Sequence, residues 1–422
     1  MLLLQRSMCK MSDTVLLTDF TSLQDAVDAV PEYGTLIVPP GSWAYGSARL
    51  KSNMTLHLQK GAVLVAPETI EEHIDSTCVV KRSPLWKYCF LALFNVENVT
   101  IEGEGTIDGR GHLFWPGYDG APDTVERDPQ TGFFKGGIYD PTSLHPSLMI
   151  LFKARNIRIK NVKLHDSGAF TVWALGCDRL EIDSICIKNI RRGPNTDGLD
   201  ISSCSDVRIT NCLIEAGDDA IALKSDNAAI GMDKPCERIH ISGNTLSSLC
   251  CGVRLGYEGD GAIRDVIFTD NIIRDTNIGF DVLAILPNRG RMPYTGIYKG
   301  AKIENIIVRG MIMRNVRQAF KLWNWTEDED MLPELEGYIR NVLLADMFIE
   351  AVDASFIGGK SVSGIRLENI RMDVCRFKDV YKSSEPVAIP NIWGRGYMKE
   401  PLTVYNVPDL ELENVKITEE YK

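Results

Sequence analysis

The sequence predicts an all-β chain wound into a right-handed parallel β-helix, a β-solenoid, with a short N-terminal capping helix. Three observations predict this fold: a short strand unit recurs along the chain, its copies are irregularly spaced, and long amphipathic helical windows are absent. One coil of a solenoid cannot bury its own apolar face, and stacked neighbours bury it instead. Repetition of the unit therefore indicates one continuous core.

The repeated unit is a polar residue followed by apolar-x-apolar, as in NIRI at 156–159 and RLEI at 179–182. From Ile157 the equivalent apolar positions fall at 180, 207, 239 and 266, which gives steps of 23, 27, 32 and 27 residues. The alternation is typical of half-buried strands, and a second strand follows most copies, as at 161–164. A sandwich would need hairpin-spaced turns and a propeller would need blades of fixed length.

The helical window at 23–30 predicts the capping helix. We expect a single β-helix domain over 1–422. It comprises an N-terminal extension at 1–20, the cap and first coils at 21–66, and the β-helix with loop insertions at 67–422.

A second ladder shares the pattern small-apolar-x-apolar-x, and its copies lie at 169–173, 198–202, 220–224, 252–256, 279–283 and 319–323. The apolar members are expected to stack inward, because side chains alternate across a strand. The alternate members are then expected to face solvent in one column. They are Trp173, Asp200, Lys224, Arg254, Asp281, Lys321 and Trp323. A column of acids, bases and tryptophans is typical either of a groove for an extended polar ligand or of a plain solvated sheet face.

Composition narrows the possible partners. The chain has 46 Lys+Arg against 57 Asp+Glu, and a net charge of −11 gives no long-range attraction for nucleic acid. No apolar stretch is long enough for a membrane helix, and the leucine run at 2–4 is too short for a secretory signal. The 11 cysteines include no Cys-x-x-Cys pair, so the sequence gives no support for a zinc site or a redox motif. We therefore expect a cytoplasmic protein with no membrane partner; secretion is the alternative.

Two acidic motifs precede adjacent copies of the second ladder, NTDG at 195–198 and GDDA at 217–220. From Asp197 to Asp219 is 22 residues, one minimal coil, so their backbones are expected to lie about 4.8 Å apart, with Asp218 beside them. Clustered carboxylates raise one another's pKa, and a protonated acid beside ionised bases suits glycoside hydrolysis. Each motif alone is also an ordinary turn signal; the one-coil spacing favours a site.

Over most of its length the chain resembles the polygalacturonase-like enzymes of glycoside hydrolase family 28. GTLIVPPG at 34–41, MTLHLQKGAVL at 54–64 and GEGTIDGRG at 103–111 are similar to the family's opening segments. The two aspartate motifs, followed by Lys224, are similar to the family's most specific signature. The resemblance implies that Asp218 is the general acid, that Asp197 and Asp219 activate water, and that hydrolysis inverts the anomeric carbon without metal or cofactor.

The chain departs from this family at two motifs. Cys251 stands where pectinases carry a histidine, and Asp281-Val282-Leu283 stands where they carry Arg-x-Lys, the pair that grips a uronate. Arg254, Lys224 and Lys321 are candidates to restore cationic contacts, and Asp281 to bond sugar hydroxyls. Asn195, Trp173 and Trp323 are further candidates for substrate binding, the tryptophans by stacking on sugar faces.

The predicted function is hydrolysis of glycosidic bonds in pectin-derived or related plant-polysaccharide oligosaccharides, as in cell-wall degradation. A non-catalytic, tailspike-like carbohydrate binder is one alternative, which the missing histidine and Arg-x-Lys favour. A polysaccharide lyase or epimerase is another. The walls of the cleft are predicted to be Tyr257-Glu258 and the segments 113–145 and 284–300.

Overall fold

A computed structural model describes residues 13–81, 87–379 and 384–422. Its strands stack into three ladders of a parallel β-helix, as predicted, and all ladder pairings among the described residues are parallel except that of Ile74–Asp75 with Tyr88–Phe94. Residues 1–12 of the predicted N-terminal extension, with the leucine run, lie outside the described residues. Thr14–Leu16 already pairs with Thr35–Val38 in the first coil.

The first ladder carries the repeated polar-apolar-x-apolar unit. Its strands are Thr14–Leu16, Thr35–Val38, Met54–Leu58, Glu97–Gly103, Arg155–Lys160, Asp178–Asp183, Ser205–Thr210, Cys236–Ser242, Ala262–Thr269, Lys302–Arg309, Tyr338–Ala351, Val362–Arg376 and Glu411–Tyr421.

The second ladder is short-stranded and follows the first after one turn. Its separate strands are Gly41–Ala44, Ala62–Val65, Thr106–Asp108, Lys163–His165, Cys186–Lys188, Leu213–Ala216 and Thr245–Ser248. Later coils continue it through long strands that bend from one ladder into another, such as Ile272–Leu283 and Ile312–Asn324.

The third ladder contains the copies at 169–173 through 319–323. Its strands are Ala48–Arg49, Tyr88–Phe94, Ser147–Phe152, Val172–Leu175, Leu199–Ser202, Ile221–Lys224, Cys251–Gly256, Ile272–Leu283, Ile312–Asn324, Ser355–Gly359 and Leu402–Tyr405.

Helices are few and short. The α-helices are Leu23–Ala29, Asn227–Ile230 and Met292–Thr295, and the 3-10 helices are Leu17–Asp19, Ile70–Glu72, Ser76–Cys78, Gly111–Phe114 and Glu329–Glu334. Leu23–Ala29 is the predicted cap: the Ser22 hydroxyl accepts a hydrogen bond from the Asp25 N–H, and the buried helix residues join the solenoid core. None of the described helices is both long and apolar enough to cross a bilayer.

The polar residue of the repeated unit lies near the start of each first-ladder strand and bends the chain there. Asn156, Arg179, Asp206 and Arg238 all adopt a left-handed backbone conformation, with φ between 54° and 60°. Asparagine and aspartate tolerate this conformation better than most residues. The unit seen in the sequence is therefore a strand with a bend near its start, since the residues on both sides of the bend are paired, as Arg155 and Ile157 are.

One hydrophobic cluster runs through the solenoid from Leu17 to Val407. In the third ladder the inward positions are fully buried, as predicted; Leu199, Ile221 and Val253 are each 0% exposed and lie in register on successive coils. This stack holds the opposite face of the third ladder in fixed register, and the candidate site lies on that face.

Candidate active site

Asp197 and Asp219 lie one above the other at the start of adjacent rungs. The Gly198 N–H donates to the Asp219 carbonyl at 2.8 Å, and the Leu199–Ile221 pairing continues the register. The carbonyl of Asp197 in turn accepts from the Thr171 N–H and hydroxyl, at 2.9 and 2.8 Å. Backbone pairing with the neighbouring coils thus fixes the register of both aspartates.

Close packing explains why glycines flank the aspartates. A Cβ at Gly217 would lie 2.2 Å from the Thr196 hydroxyl oxygen, and one at Gly198 would lie 2.4 Å from the Ala220 carbonyl oxygen. Both contacts are far below van der Waals distance, so only glycine fits at either position. The two motifs therefore interlock across adjacent coils.

The carboxylates of Asp197, Asp218 and Asp219 converge, because one oxygen of each lies within 4.8 Å of the others. Asp197 and Asp219 are buried, at 2% and 1% exposure, whereas Asp218 is half-buried. The spacing of one coil thus brings the three residues together as expected, and Asp218 is the most accessible of them.

Burial makes ionisation of Asp197 and Asp219 unfavourable. Burial, together with the charges of Asp200 and Asp218, raises the pKa of Asp197 well above its usual value. Burial also raises the pKa of Asp219 to about 7, against the opposing effect of the Arg254 guanidinium. Asp197 and Asp219 therefore bind a proton more readily than exposed carboxylates do.

The Lys224 ammonium contacts three carboxylates, of which only Asp197 belongs to the trio. Its ammonium nitrogen is 2.5 Å from Asp200 Oδ1, 3.1 Å from Glu258 Oε2 and 3.6 Å from Asp197 Oδ2. Burial alone would lower the pKa of Lys224, but the neighbouring carboxylates, Asp200 first, raise it. Lys224 is therefore a buried, charged partner of the acidic residues.

A second set of ion pairs continues along the third ladder. Arg254 Nη1 lies 3.0 Å from Asp219 Oδ2, and Arg254 Nε lies 3.3 Å from Asp281 Oδ2. Lys321 Nζ lies 3.4 Å from Asp281 Oδ1 on the next rung and donates to the Ile392 carbonyl. These residues form a buried chain from Asp219 to Lys321.

The expectation of one solvent-facing column is wrong in two respects. Lys224 pairs with Ser202 and Trp323 pairs with Leu283, so both belong to a neighbouring column. The residues that do stack in register are Trp173, Asp200, Ala222, Arg254, Asp281 and Lys321. The predicted outward residues are all buried, because loops cover this face of the ladder.

The stacking role predicted for Trp173 is also wrong. Its side chain is 1% exposed and packs edge-on against Phe170, with ring centroids 5.2 Å apart, so no ring face is open to a sugar. Trp323 is 2% exposed, and its indole N–H donates to the Pro390 carbonyl at 2.9 Å. Trp323 nevertheless lines a groove farther along the solenoid axis.

One wall of that groove is a C-terminal segment, 384–401, that the sequence analysis did not single out. The groove has a volume of about 690 Å³, and its aromatic lining is Trp323, Trp325 and Trp393. Carbonyls of Pro390 and Ile392 anchor the segment to the third ladder. The segment carries no strand pattern, so only its tertiary contacts reveal this position.

The predicted walls also contact the third ladder and its neighbouring turns. In 113–145, the Trp115 indole donates to the Gly168 carbonyl at 2.9 Å, and His145 hydrogen-bonds Asn195. In 284–300, the Thr295 carbonyl accepts from the Gly259 N–H at 2.9 Å. Asn195 itself is half-buried with φ 52°, two residues before Asp197.

Sequence reasoning placed Glu258 in a wall of the cleft, but it predicted no contact of Asp200 or Glu258 with Lys224. Asp200 occupied the outward column, and Glu258 follows Tyr257 in a short loop. The signal in the sequence was their negative charge, which is opposite to that of Lys224 and could have predicted these ion pairs. Among the described residues, two sets of side chains have metal-ligand spacing: the aspartate trio, and Asp219 with Cys250 and Cys251. Arg254 already contacts Asp219 and both thiols.

The chain is similar in sequence to known proteins. Residues 69–314 match the family model described as glycosyl hydrolases family 28. A probable polygalacturonase of Vitis vinifera is 30% identical over 375 residues, which are 83% of this chain and 70% of the relative.

Solved structures show the same fold. An exopolygalacturonase from Thermotoga maritima superposes with a TM-score of 0.68 at 23% identity, covering 86% of this chain and 87% of that one. A polygalacturonase from Erwinia carotovora gives 0.62 at 18% identity, covering 97% and 94%. With the family model matched over more than half of its residues, this chain belongs to glycosyl hydrolases family 28 and is a glycoside hydrolase.

Proposed function

We propose that this enzyme hydrolyses glycosidic bonds in pectin-derived or related plant-polysaccharide oligosaccharides, with Asp197, Asp218 and Asp219 as the catalytic residues. The observation that carries the proposal is the convergence of these three carboxylates within 4.8 Å. The relatives that match are named as polygalacturonases, which supports a pectic substrate. A cytoplasmic location remains a prediction.

The geometry supports a division of roles among the aspartates. Asp218 is the most accessible member, so it is placed to give a proton to the leaving oxygen. Asp197 and Asp219 are held by backbone pairing on adjacent rungs and can hold one water between their oxygens. Removal of a proton from that water makes it the nucleophile.

This mechanism predicts inversion at the anomeric carbon. Carboxyl groups of inverting enzymes are usually about 6.5–9.5 Å apart, and those of retaining enzymes about 5–5.5 Å. The nearest oxygens here are within 4.8 Å, a spacing that makes retention the second candidate. NMR of the first-formed anomer separates the two, because an α-linked substrate gives a β product only by inversion.

The groove lined by Trp323, Trp325 and Trp393 supports binding of further sugars of the same chain. It adjoins the rung of Lys321, three rungs from that of Ile221, or about 14 Å at 4.8 Å per rung. Tryptophan rings are suited to the apolar faces of sugars. The groove therefore extends the binding site along the solenoid axis.

The test of catalysis is Asp218→Asn, with Glu181→Gln on the outer face of the first ladder as the matched control. We expect Asp218→Asn to lose at least about 100-fold in reducing-end release from pectic oligosaccharides, since that is the usual contribution of a positioned acid. Circular dichroism should be unchanged. Near-normal rates in Asp218→Asn would contradict its role. A product that absorbs through a new double bond would indicate a lyase.

A further inference from the structure

The cations beside the aspartate trio are already bound by carboxylates. We propose that the bond hydrolysed at this site joins sugar units without a free carboxylate, either neutral sugars or esterified uronates. The inference rests on the proposed function and specifies its substrate class.

Lys224 has no side free for a substrate anion. Its ammonium group contacts Asp200, Glu258 and Asp197 at 2.5 to 3.6 Å, and the residue is only 3% exposed. An ammonium has three donors, and three carboxylates surround this one. A uronate could bind Lys224 only by displacing one of these partners.

Arg254 and Lys321 are engaged in the same way. Arg254 contacts Asp219 at 3.0 Å and Asp281 at 3.3 Å, and its remaining nitrogen lies 2.9 Å from the Cys251 sulfur. Lys321 is fully buried between Asp281 and the Ile392 carbonyl. Bidentate recognition of a uronate needs a free arginine fork, and this fork is occupied.

The balance of charge also disfavours an anionic sugar. Three cations, Lys224, Arg254 and Lys321, face six carboxyl groups. Those carboxyl groups are Asp197, Asp200, Asp218, Asp219, Asp281 and Glu258. A free uronate would add a seventh acidic group to a buried site, where like charges are costly. An uncharged sugar adds no charge, and its hydroxyls can donate hydrogen bonds to the carboxylates.

The two differences from the pectinase motifs also disfavour binding of a free uronate. Asp281 places an acid where a uronate-binding arginine is expected, and Cys251 places a neutral thiol where a histidine is expected. In the structure Asp281 lies within ion-pair distance of both Arg254 and Lys321. These two differences therefore remove positively charged groups, and Asp281 also pairs with Arg254 and Lys321, the cations that remain on these rungs.

The experiment identifies the sugar at each newly formed reducing end. Partly methyl-esterified pectin is digested with the full-length enzyme, new ends are tagged by reductive amination with 2-aminobenzamide, and the tagged sugars are identified by mass spectrometry. Asp218→Asn supplies the background. We expect tagged neutral sugars or tagged methyl galacturonate, and these two products distinguish the two sources of an uncharged unit.

Two other outcomes contradict different claims. Free galacturonic acid as the main tagged sugar would overturn this inference and leave the proposed hydrolysis intact. No new reducing ends above the Asp218→Asn background would overturn the proposed pectin hydrolysis, and the inference with it.

Discussion

Arg254 Nη1 lies 3.0 Å from Asp219 Oδ2, across the boundary between two adjacent coils. Both residues are almost fully buried, and Arg254 also contacts Asp281. A buried ion pair of this kind holds a carboxylate in one position and favours its ionised form. The ion pair with Arg254 therefore holds Asp219, the proposed base, in position on the third ladder.

Replacing Arg254 by glutamine should destabilise the protein and slow catalysis. Removing one partner of a buried pair leaves uncompensated charge, which costs about 3–5 kcal/mol of unfolding free energy. We expect kcat to fall at least about tenfold, because Asp219 loses its positioning contact. Urea denaturation and steady-state kinetics measure the two effects. Arg158→Gln, whose exposed pair with Glu181 spans 3.1 Å, should change stability by less than about 1 kcal/mol.

Asp219 should make stability decrease as pH rises. Its pKa is about 7 in the folded protein and near 3.8 when unfolded, so between these values the folded state binds more protons. The free energy of unfolding therefore falls with rising pH across this window, by up to about 1.4 kcal/mol per pH unit for one proton. Asp219→Asn removes this contribution, so its stability relative to wild type should increase from pH 4 to 7.

Asp183→Asn is the matched control for that titration. Hydrogen bonds from Thr210, Ser184 and Asn211 lower the pKa of Asp183. Its stabilising effect is therefore present above the unfolded pKa and lost as pH falls through the folded one. Denaturation curves should therefore show a constant difference between Asp183→Asn and wild type from pH 4 to 7, and this difference should disappear only at more acidic pH. A parallel shift of both variants across pH 4 to 7 would contradict the Asp219 prediction.

Asn271 should contribute strongly to the stability of the coils. Its side-chain oxygen accepts from the Asn244 N–H at 3.0 Å, and its amide donates to the Ile241 carbonyl at 3.2 Å. Asn271→Ala leaves these buried groups unpaired, at about 1–3 kcal/mol each. Thermal and urea denaturation measure the loss. Asn414→Ala removes an exposed member of a similar stack, with Asn369 at 2.8 Å, and should cost about 0.5 kcal/mol or less.

Trp393→Ala should weaken binding of long substrates selectively. Loss of one aromatic contact of about 1.5 kcal/mol corresponds to roughly a tenfold rise in KM for oligosaccharides that reach the groove. Aryl glycosides with one sugar should show unchanged kinetics. Trp43→Ala, near the opposite end of the solenoid, is the control. Equal effects of Trp393→Ala on short and long substrates would contradict a role for the groove in chain binding.

The sequence by itself determined the solenoid, the ladder of inward apolar residues and the meeting of Asp197, Asp218 and Asp219. Each follows from the repeat in the sequence, because residues one coil apart lie directly above one another. The tertiary structure alone decided that the column is buried and that Lys224, Arg254 and Lys321 are bound by carboxylates. Those facts depend on loops such as 384–401, whose path follows from side-chain contacts with distant coils and has no periodic signal in the sequence.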